Sequence, residues 1–499
     1  MSFQLMVVSL YFVLTVIIGM RSARYANTSG SFHGANMGIF SIVCASAGEW
    51  LGGTSTTGVS EYGFTFGLSG AWYTVSNGIG VMFLALCFAK LFRSLNTMTV
   101  PGIIEKFFGV KARTVSSILL TVVMLAVGLS QMIAAGKLGQ GLMGFNFTAT
   151  VVVFAVIFIV YTLAGGMNAV ASTNKMHLFV MYAGAVLAIF FALSQVGGVS
   201  GFTEGIRAVE TDEGGDYFSM FSIGMPKVSS WIIAGLLGAC TAQAGLQPLL
   251  GARDVPTARK ACIITAFVVA PFGFFTALLG MISRVMSHNG TLTDLAGAVV
   301  TDGKLALPTL MMHLPPIIGG LVLASILAAI LSTVSPIILA SGTMVTKDLY
   351  QRVLRPGATD AQVLRMSRLT TALSGVICAG GAILLVDAGQ VLDIVYSAYS
   401  LRGAILIVLL LGIYWKRASE RGACWSMVCT GAVSLFWVVW RLSTGSYPLF
   451  PWLTETYAAV FVALFTTILF SFLFPMSDLE CAVRRRTKEN IRDTMDQKK

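Results

Sequence analysis

The sequence predicts an all-α polytopic membrane protein with 13 transmembrane helices. Three observations lead there. Hydrophobic residues make up 56% of the chain and charged residues only 11%, a balance that a water-soluble globule does not carry. Apolar runs of about 18 or more residues, long enough to cross a bilayer, are centred near residues 12, 47, 80, 125, 157, 187, 240, 272, 331, 378, 404, 430 and 465. If these runs alternate across the membrane, Lys and Arg fall 26 on one side, 6 on the other, and one, Arg402, within a run. The crowded side is cytoplasmic by the positive-inside rule, which places the N-terminus outside and the C-terminus inside, in the cell membrane. The first run has no Lys or Arg ahead of it and Arg21 and Arg24 behind it, the reverse of a secretory signal.

The chain therefore reads as one membrane domain over 1–477 and a basic cytoplasmic tail over 478–499. The net charge of +11 is the same inside bias and gives no reason to expect nucleic acid. The eight cysteines include no C-x-x-C pair and read as apolar packing residues. No nucleophile and base pair, metal cluster or phosphate loop is present, so the chain is not expected to be an enzyme.

Segment two, Asn36 to Phe66, is the least regular. Glycines at 48, 52, 53 and 58, with polar Glu49, Thr54, Ser55, Thr56 and Thr57, suit a broken helix. Unwound backbone at membrane depth is tolerated only where it lines a cavity; the alternative is a small-residue helix interface of the Gly-x-x-x-Gly kind. Glu49 is an acid within the membrane, which marks function by default. A proton carrier, a substrate contact and a pair for Arg402 are all open to it. Segment three, Gly67 to Phe92, opens with Trp72, Tyr73, Thr74 and Asn77, and a loop Thr99 to Gly109 follows. Behind segment five comes Tyr161-Thr162-Leu163-Ala164-Gly165-Gly166, leading to Asn174 and His177. The acidic loop from Gly197 to Lys227 gives no motif.

Segment seven, Ser230 to Gly251, is interrupted again, by Gly235, Gly238, Gly245 and Pro248 among Thr241, Gln243 and Gln247. A second broken helix five spans after the first marks an inverted repeat. It pairs about 36–200 with about 229–415 and leaves helices at 3–20, 422–441 and 456–474 outside. Segment nine, within Leu321 to Tyr350, is apolar on every side yet carries Ser325, Ser332, Thr333 and Ser335 before Pro336. Pro336 removes a backbone donor and frees carbonyls near Ser332. Hydroxyl and carbonyl oxygens are what a dehydrated Na+ would take, although such hydroxyls also bond their own or a neighbouring helix. Segment eleven carries Asp393, Tyr396, Tyr399 and Arg402, then Trp415-Lys416-Arg417 and Gly422-Ala423. Arg402 lies too deep to snorkel. Its guanidinium either pairs with an acid such as Glu49 or receives a substrate carboxylate.

Together these motifs resemble the sodium:solute symporter family over about residues 5 to 475. Ala328-Ala329-Ile330-Leu331-Ser332-Thr333 with Asp348-Leu349-Tyr350 is similar to its AA-x-x-ST helix and D-[IL]-Y end. The Gly52 to Val59 run, the Thr99 to Gly109 loop, Tyr161 to Val170, Gln243 with Gln247, and Trp415 to Ala423 match in the same order. The resemblance implies a LeuT-type 5+5 fold and a secondary active transporter that moves a small organic solute with Na+ by alternating access. By the family's register, Na+ would be held by the carbonyls of Gly48, Leu51 and Ala329 and the hydroxyls of Ser332 and Thr333. The solute would meet Thr54, Ser55, Thr74, Asn77, Gln243, Tyr396, Tyr399, Arg402 and Glu49. The lipid bilayer is the other expected partner, and no obligate protein partner is implied.

The departures are informative. Neutral Asn174 stands where many members place aspartate, which favours one coupling sodium over two. His177 replaces glutamine, as a pH-sensitive gate or a plain hydrogen-bonded residue, and Pro248 stands where arginine is common. Gly235 and Gly238 occupy positions where sugar transporters of the family carry Asn and an aromatic gate, which speaks against a sugar. Arg402 stands where members usually have a small residue and tilts the expectation toward a carboxylate or amino acid. The alternatives are an H+-coupled symporter or uniporter of the same fold, or a transporter-like solute sensor, whose effector the tail from Asp478 is too short to carry.

Overall fold

A computed structural model describes residues 3–22, 32–34, 36–387 and 391–496; Arg24 lies outside them. The chain opens on α1 (Phe3–Ser22). Segment two is split: α2 (Ile39–Trp50) ends at Leu51, whose φ of −102° and ψ of 60° leave the helical path, and a wide turn at Thr54–Gly58 leads into α3 (Val59–Phe66). Next come α4 (Trp72–Phe83) and, past another wide turn, α5 (Ala89–Ser94). The Thr99 hydroxyl caps α6 (Val100–Phe108) by accepting from the Gly102 amide, with Pro101 in its first turn.

After α7 (Val110–Met143), the long helix α8 (Phe147–Gln195) breaks at Gly166, at φ 54° and ψ −147°. Only glycine adopts that backbone readily, and a side chain there would strike Phe32. The acidic loop contains α9 (Gly198–Glu213). Segment seven is also split, into α10 (Met225–Ala239) and α11 (Gln243–Leu250), with Ala242 extended between them. The chain continues through α12 (Val255–Val269), α13 (Phe272–His288) and α14 (Gly303–His313).

The helix α15 (Pro316–Met344) has Pro336 inside it and is buried nearly throughout, packed among α1, α2, α7, α8 and α16 (Asp360–Leu385). This is where an all-apolar helix must sit if it is to leave lipid. Last come α17 (Val391–Tyr414), α18 (Glu420–Thr444), α19 (Glu455–Leu473) and α20 (Asp478–Asp496).

No strand occurs among the described residues beyond two isolated bridges. Among the described residues ten helices are long and apolar enough to cross a membrane, and three shorter apolar ones join them, at Met6–Gly19, Ile39–Trp50 and Phe147–Val160. Exposed Phe190 on α8, Leu373 and Val376 on α16, and Leu435 on α18 fit a bilayer rather than water. Charges gather at the two ends. One end holds Lys137 with Asp302 at 3.2 Å, Arg284 with Glu213, and Lys227 with Asp393 at 3.1 Å. The other holds Arg113 with Glu105 and with Asp348, and Arg352 with Glu105 at 2.5 Å.

Candidate cation and solute site

The break after α2 lies against the middle of α15. There the Gly48 carbonyl accepts from the Thr333 hydroxyl at 2.5 Å and from the Ser332 hydroxyl at 3.1 Å. The Ser332 hydroxyl is also 2.8 Å from the Ala329 carbonyl. Four of the five expected Na+ oxygens thus meet in one buried place, with Leu51 closing α2 one turn beyond Gly48. The donors are neutral, hard oxygens, which fits Na+ and not a soft or transition metal. Among the described residues no group of three or more His, Cys, Asp or Glu side chains forms a rival metal site.

Close approach explains the glycines. A side chain at 48 would collide with Asn174 and Ser332, and one at 52 with Thr333 and Gln131. Asn174 is tied to the same place, its amide 3.3 Å from the Ser332 carbonyl as a neutral donor. Gln131 on α7 has no motif to announce it. Its amide oxygen accepts from the Gly53 N–H at 2.7 Å and its amide nitrogen donates to the Thr54 hydroxyl at 3.0 Å, which supplies partners to the unwound backbone.

One residue past Gly48 the chemistry changes. Glu49 faces Arg402 of α17, Oε1 to Nη1, at 3.9 Å, and both side chains are fully buried. Neither carboxylate oxygen and none of the three guanidinium nitrogens has a hydrogen-bond partner among the described residues. The Arg402 guanidinium carbon stands over the Tyr399 ring, 3.8 Å from its centroid, and over the Trp50 ring, 5.2 Å from its centroid. Gly238 leaves it room, since a Cβ there would stand 3.2 Å from Arg402 Nε. Glycine at 238 thus lets the Arg402 side chain lie close against the α10 backbone.

Aromatic side chains extend the site toward the Asp393 end. The Tyr73 hydroxyl meets those of Thr54 at 2.9 Å and Tyr399 at 3.2 Å, and Ser76 meets Tyr396 at 3.0 Å. Tyr396 stacks on Trp231 with centroids 4.3 Å apart, and Trp231 packs on Tyr62. Asn77 lies one turn beyond Tyr73, just as Arg402 lies one turn beyond Tyr399, and both atoms of its buried amide are unpartnered among the described residues.

Other expected contacts are placed elsewhere. Thr74 turns to the junction of α12 and α13, donating to the Ala270 carbonyl at 3.0 Å and accepting from the Gly273 N–H. Gln243 reaches the loop before α6, accepting from the Val100 N–H at 2.8 Å and donating to the Met98 carbonyl. The Ser55 hydroxyl closes onto Gly52. His177 is buried and meets the Tyr11 hydroxyl at 2.5 Å.

A charged network stands at each end. At one, Asp393 accepts from the Tyr62 hydroxyl at 2.6 Å and from Lys227 at 3.1 Å, and Arg441 bridges from Asp393 to Glu455. A vestibule of about 540 Å³ opens beyond, lined by Lys227, Asp393, Arg441 and Tyr447. At the other, burial pushes the Glu105 carboxyl up, but hydrogen bonds and charge from Arg352 and Arg113 outweigh it and hold Glu105 below its ordinary value.

Comparison with known proteins bears on the family and the fold. The model for the "Sodium:solute symporter family" matches residues 32–430. The osmoregulated proline transporter OpuE of Bacillus subtilis is 25% identical over 484 residues, covering 93% of this chain and 96% of its own. The sodium/glucose cotransporter of Vibrio parahaemolyticus is 25% identical over 402 residues, covering 76% and 73%. A structure described as a substrate-bound outward-open state of a Na+-coupled sialic acid symporter shares the fold, with a TM-score of 0.75 at 19% identity over 95% of this chain and 98% of that one.

Proposed function

The chain belongs to the sodium:solute symporter family, and from that premise we propose that it carries a small carboxylate or amino acid inward together with Na+ by alternating access. It is a membrane transporter rather than an enzyme, and Na+ is its coupling ion. The observation that carries the reading is the convergence of Gly48, Ala329, Ser332 and Thr333 one residue from Glu49, which faces Arg402, whose guanidinium has no hydrogen bond among the described residues. Ion and solute sites then share the last turn of α2. A Na+ bridging Gly48 to α15 fixes that turn and holds Glu49 and Trp50 for the solute, which is coupling in its simplest form. The membrane voltage contributes about 2.3 kcal/mol per charge per 100 mV to inward movement.

The proline transporter among the relatives supports an amino acid, and Gly238 with Arg402 supports a carboxylate over a sugar. For the architecture we propose thirteen crossings, counting α2 with α3, α4 with α5, α10 with α11 and α12 with α13 as one span each and α8 as two, and a 5+5 repeat over about 36–200 and 229–415. The two breaks support it. The gathering of Arg113, Arg352 and Arg484 at one end supports a cytoplasmic C-terminus, with the Asp393 vestibule outside.

A second reading, H+ coupling through Glu49, has one observation in its favour: its carboxylate has no hydrogen-bond partner among the described residues. Uptake of labelled amino acids and carboxylates into proteoliposomes separates the two. Accumulation is expected with an inward Na+ gradient; accumulation with an H+ gradient alone selects Glu49 coupling, and equilibration without accumulation selects a uniporter.

A further inference from the structure

We propose that Glu49 and Arg402 form a two-charge clamp for a zwitterion, an α-amino acid whose carboxylate lies on the Arg402 edge and whose ammonium lies on Glu49. This rests on the symporter reading above and deepens it. A structural ion pair at this depth closes to hydrogen-bond distance and satisfies its remaining protons, because burial of both charges is otherwise too costly. This pair stands open at 3.9 Å with all five charged-group atoms lacking a hydrogen bond among the described residues. Two opposite charges left in that state ask for two complementary ones.

The class of ligand follows from the sum of charges. A monocarboxylate pairs with Arg402 but brings a second negative charge up to Glu49, and an amine does the reverse to Arg402. A zwitterion completes an alternating square of four charges and leaves the site's net charge unchanged. The short Glu49 to Arg402 distance favours charges two bonds apart, as in an α-amino acid, over those of a longer ω-amino acid. The guanidinium carbon stands over the Tyr399 ring, and the N–H groups, which have no hydrogen bond among the described residues, are what a carboxylate would meet. The walls are close: a Cβ at Gly245 would stand 3.1 Å from both Glu49 Oε2 and Trp50 Nε1.

The test uses the purified full-length chain in detergent with NaCl, and reads thermal stabilisation by the twenty common L-amino acids and by matched single-charge analogues, such as ethylamine and propionate for alanine. At least one amino acid is expected to bind about a hundredfold more tightly than both of its analogues, since each analogue leaves one buried charge unpaired. Glu49→Gln is expected to narrow the gap by weakening the amino acid while admitting the carboxylate. A propionate-type analogue that binds the native chain as tightly as its amino acid overturns the clamp, as does stabilisation by no amino acid at all. Stabilisation by NaCl over choline chloride, measured in the same series without solute, reports separately on the Na+ reading. If that persists while the zwitterion preference fails, only the clamp falls.

Discussion

The Thr333 hydroxyl donates to the Gly48 carbonyl at 2.5 Å, joining the middle of α15 to the last turn of α2 just before its helix breaks. An ion that takes both oxygens locks these two helices together. Thr333→Val keeps the shape and removes one oxygen, and the Gly48 carbonyl keeps Ser332 as a donor, so the chain should still fold. Half-maximal Na+ activation of uptake should rise about tenfold or more, the equivalent of a lost contact of about 1.4 kcal/mol. An unchanged Na+ requirement would remove Thr333 from the site.

Gly238 is predicted to act on the solute alone. Alanine there would place a methyl 3.2 Å from Arg402 Nε, a contact of the overpacking kind that costs about 1–3 kcal/mol. Solute affinity should fall about tenfold while stabilisation by Na+ is unchanged. Equal loss of both would mean that the glycine serves the helix packing.

At the vestibule end, the Tyr62 hydroxyl and Lys227 share Asp393. Tyr62→Phe and Asp393→Asn should each lower thermal stability, and the double variant should lose less than the two together, with a coupling of about 0.5–3 kcal/mol. Additive losses would show that the hydroxyl does not work through this carboxylate.

Glu105 carries a pH signature. Its folded carboxyl is held below the ordinary value of 4.5 by Arg352 and Arg113, so the network's stabilisation is complete above that value and is lost as pH falls through the lower, folded value. Stability should therefore decline with acid below pH 4.5, and Glu105→Gln should flatten that part of the profile while lowering stability at neutral pH. A profile that keeps its slope in the variant would place the effect on other carboxylates.

Much of this was legible in the residues. Two hydroxyls just before a membrane proline, and glycines crowded around Glu49, announced the Ser332 and Gly48 halves of the site, because each departs from what an apolar helix needs. The break in α8 at Gly166 falls between the apolar runs centred near 157 and 187, and the residues carried no separate sign of it. Gln131 was not legible: a single glutamine in an apolar run has no pattern, and its partner Gly53 is 78 residues away. Thr74 was placed on the solute by register, yet one residue from Tyr73 is about 100° around a helix, which turns it to α12 and α13. Gln243 shows the same limit, since a motif gives the residue but not the loop its long amide will reach. The open distance between Glu49 and Arg402, with its unsatisfied protons, is a property of three dimensions only.

The most direct measurement is the melting temperature of the purified chain in NaCl and in choline chloride at matched ionic strength, for the native chain and for Ser332→Ala with Thr333→Ala. Native protein should be stabilised by Na+ by about 2.7 kcal/mol at a hundred times the dissociation constant, and the double variant should fold but show no difference between the salts. Equal melting of the native chain in both salts, or a Na+ shift that survives the double substitution, would contradict the assignment of the coupling ion to Gly48, Ala329, Ser332 and Thr333.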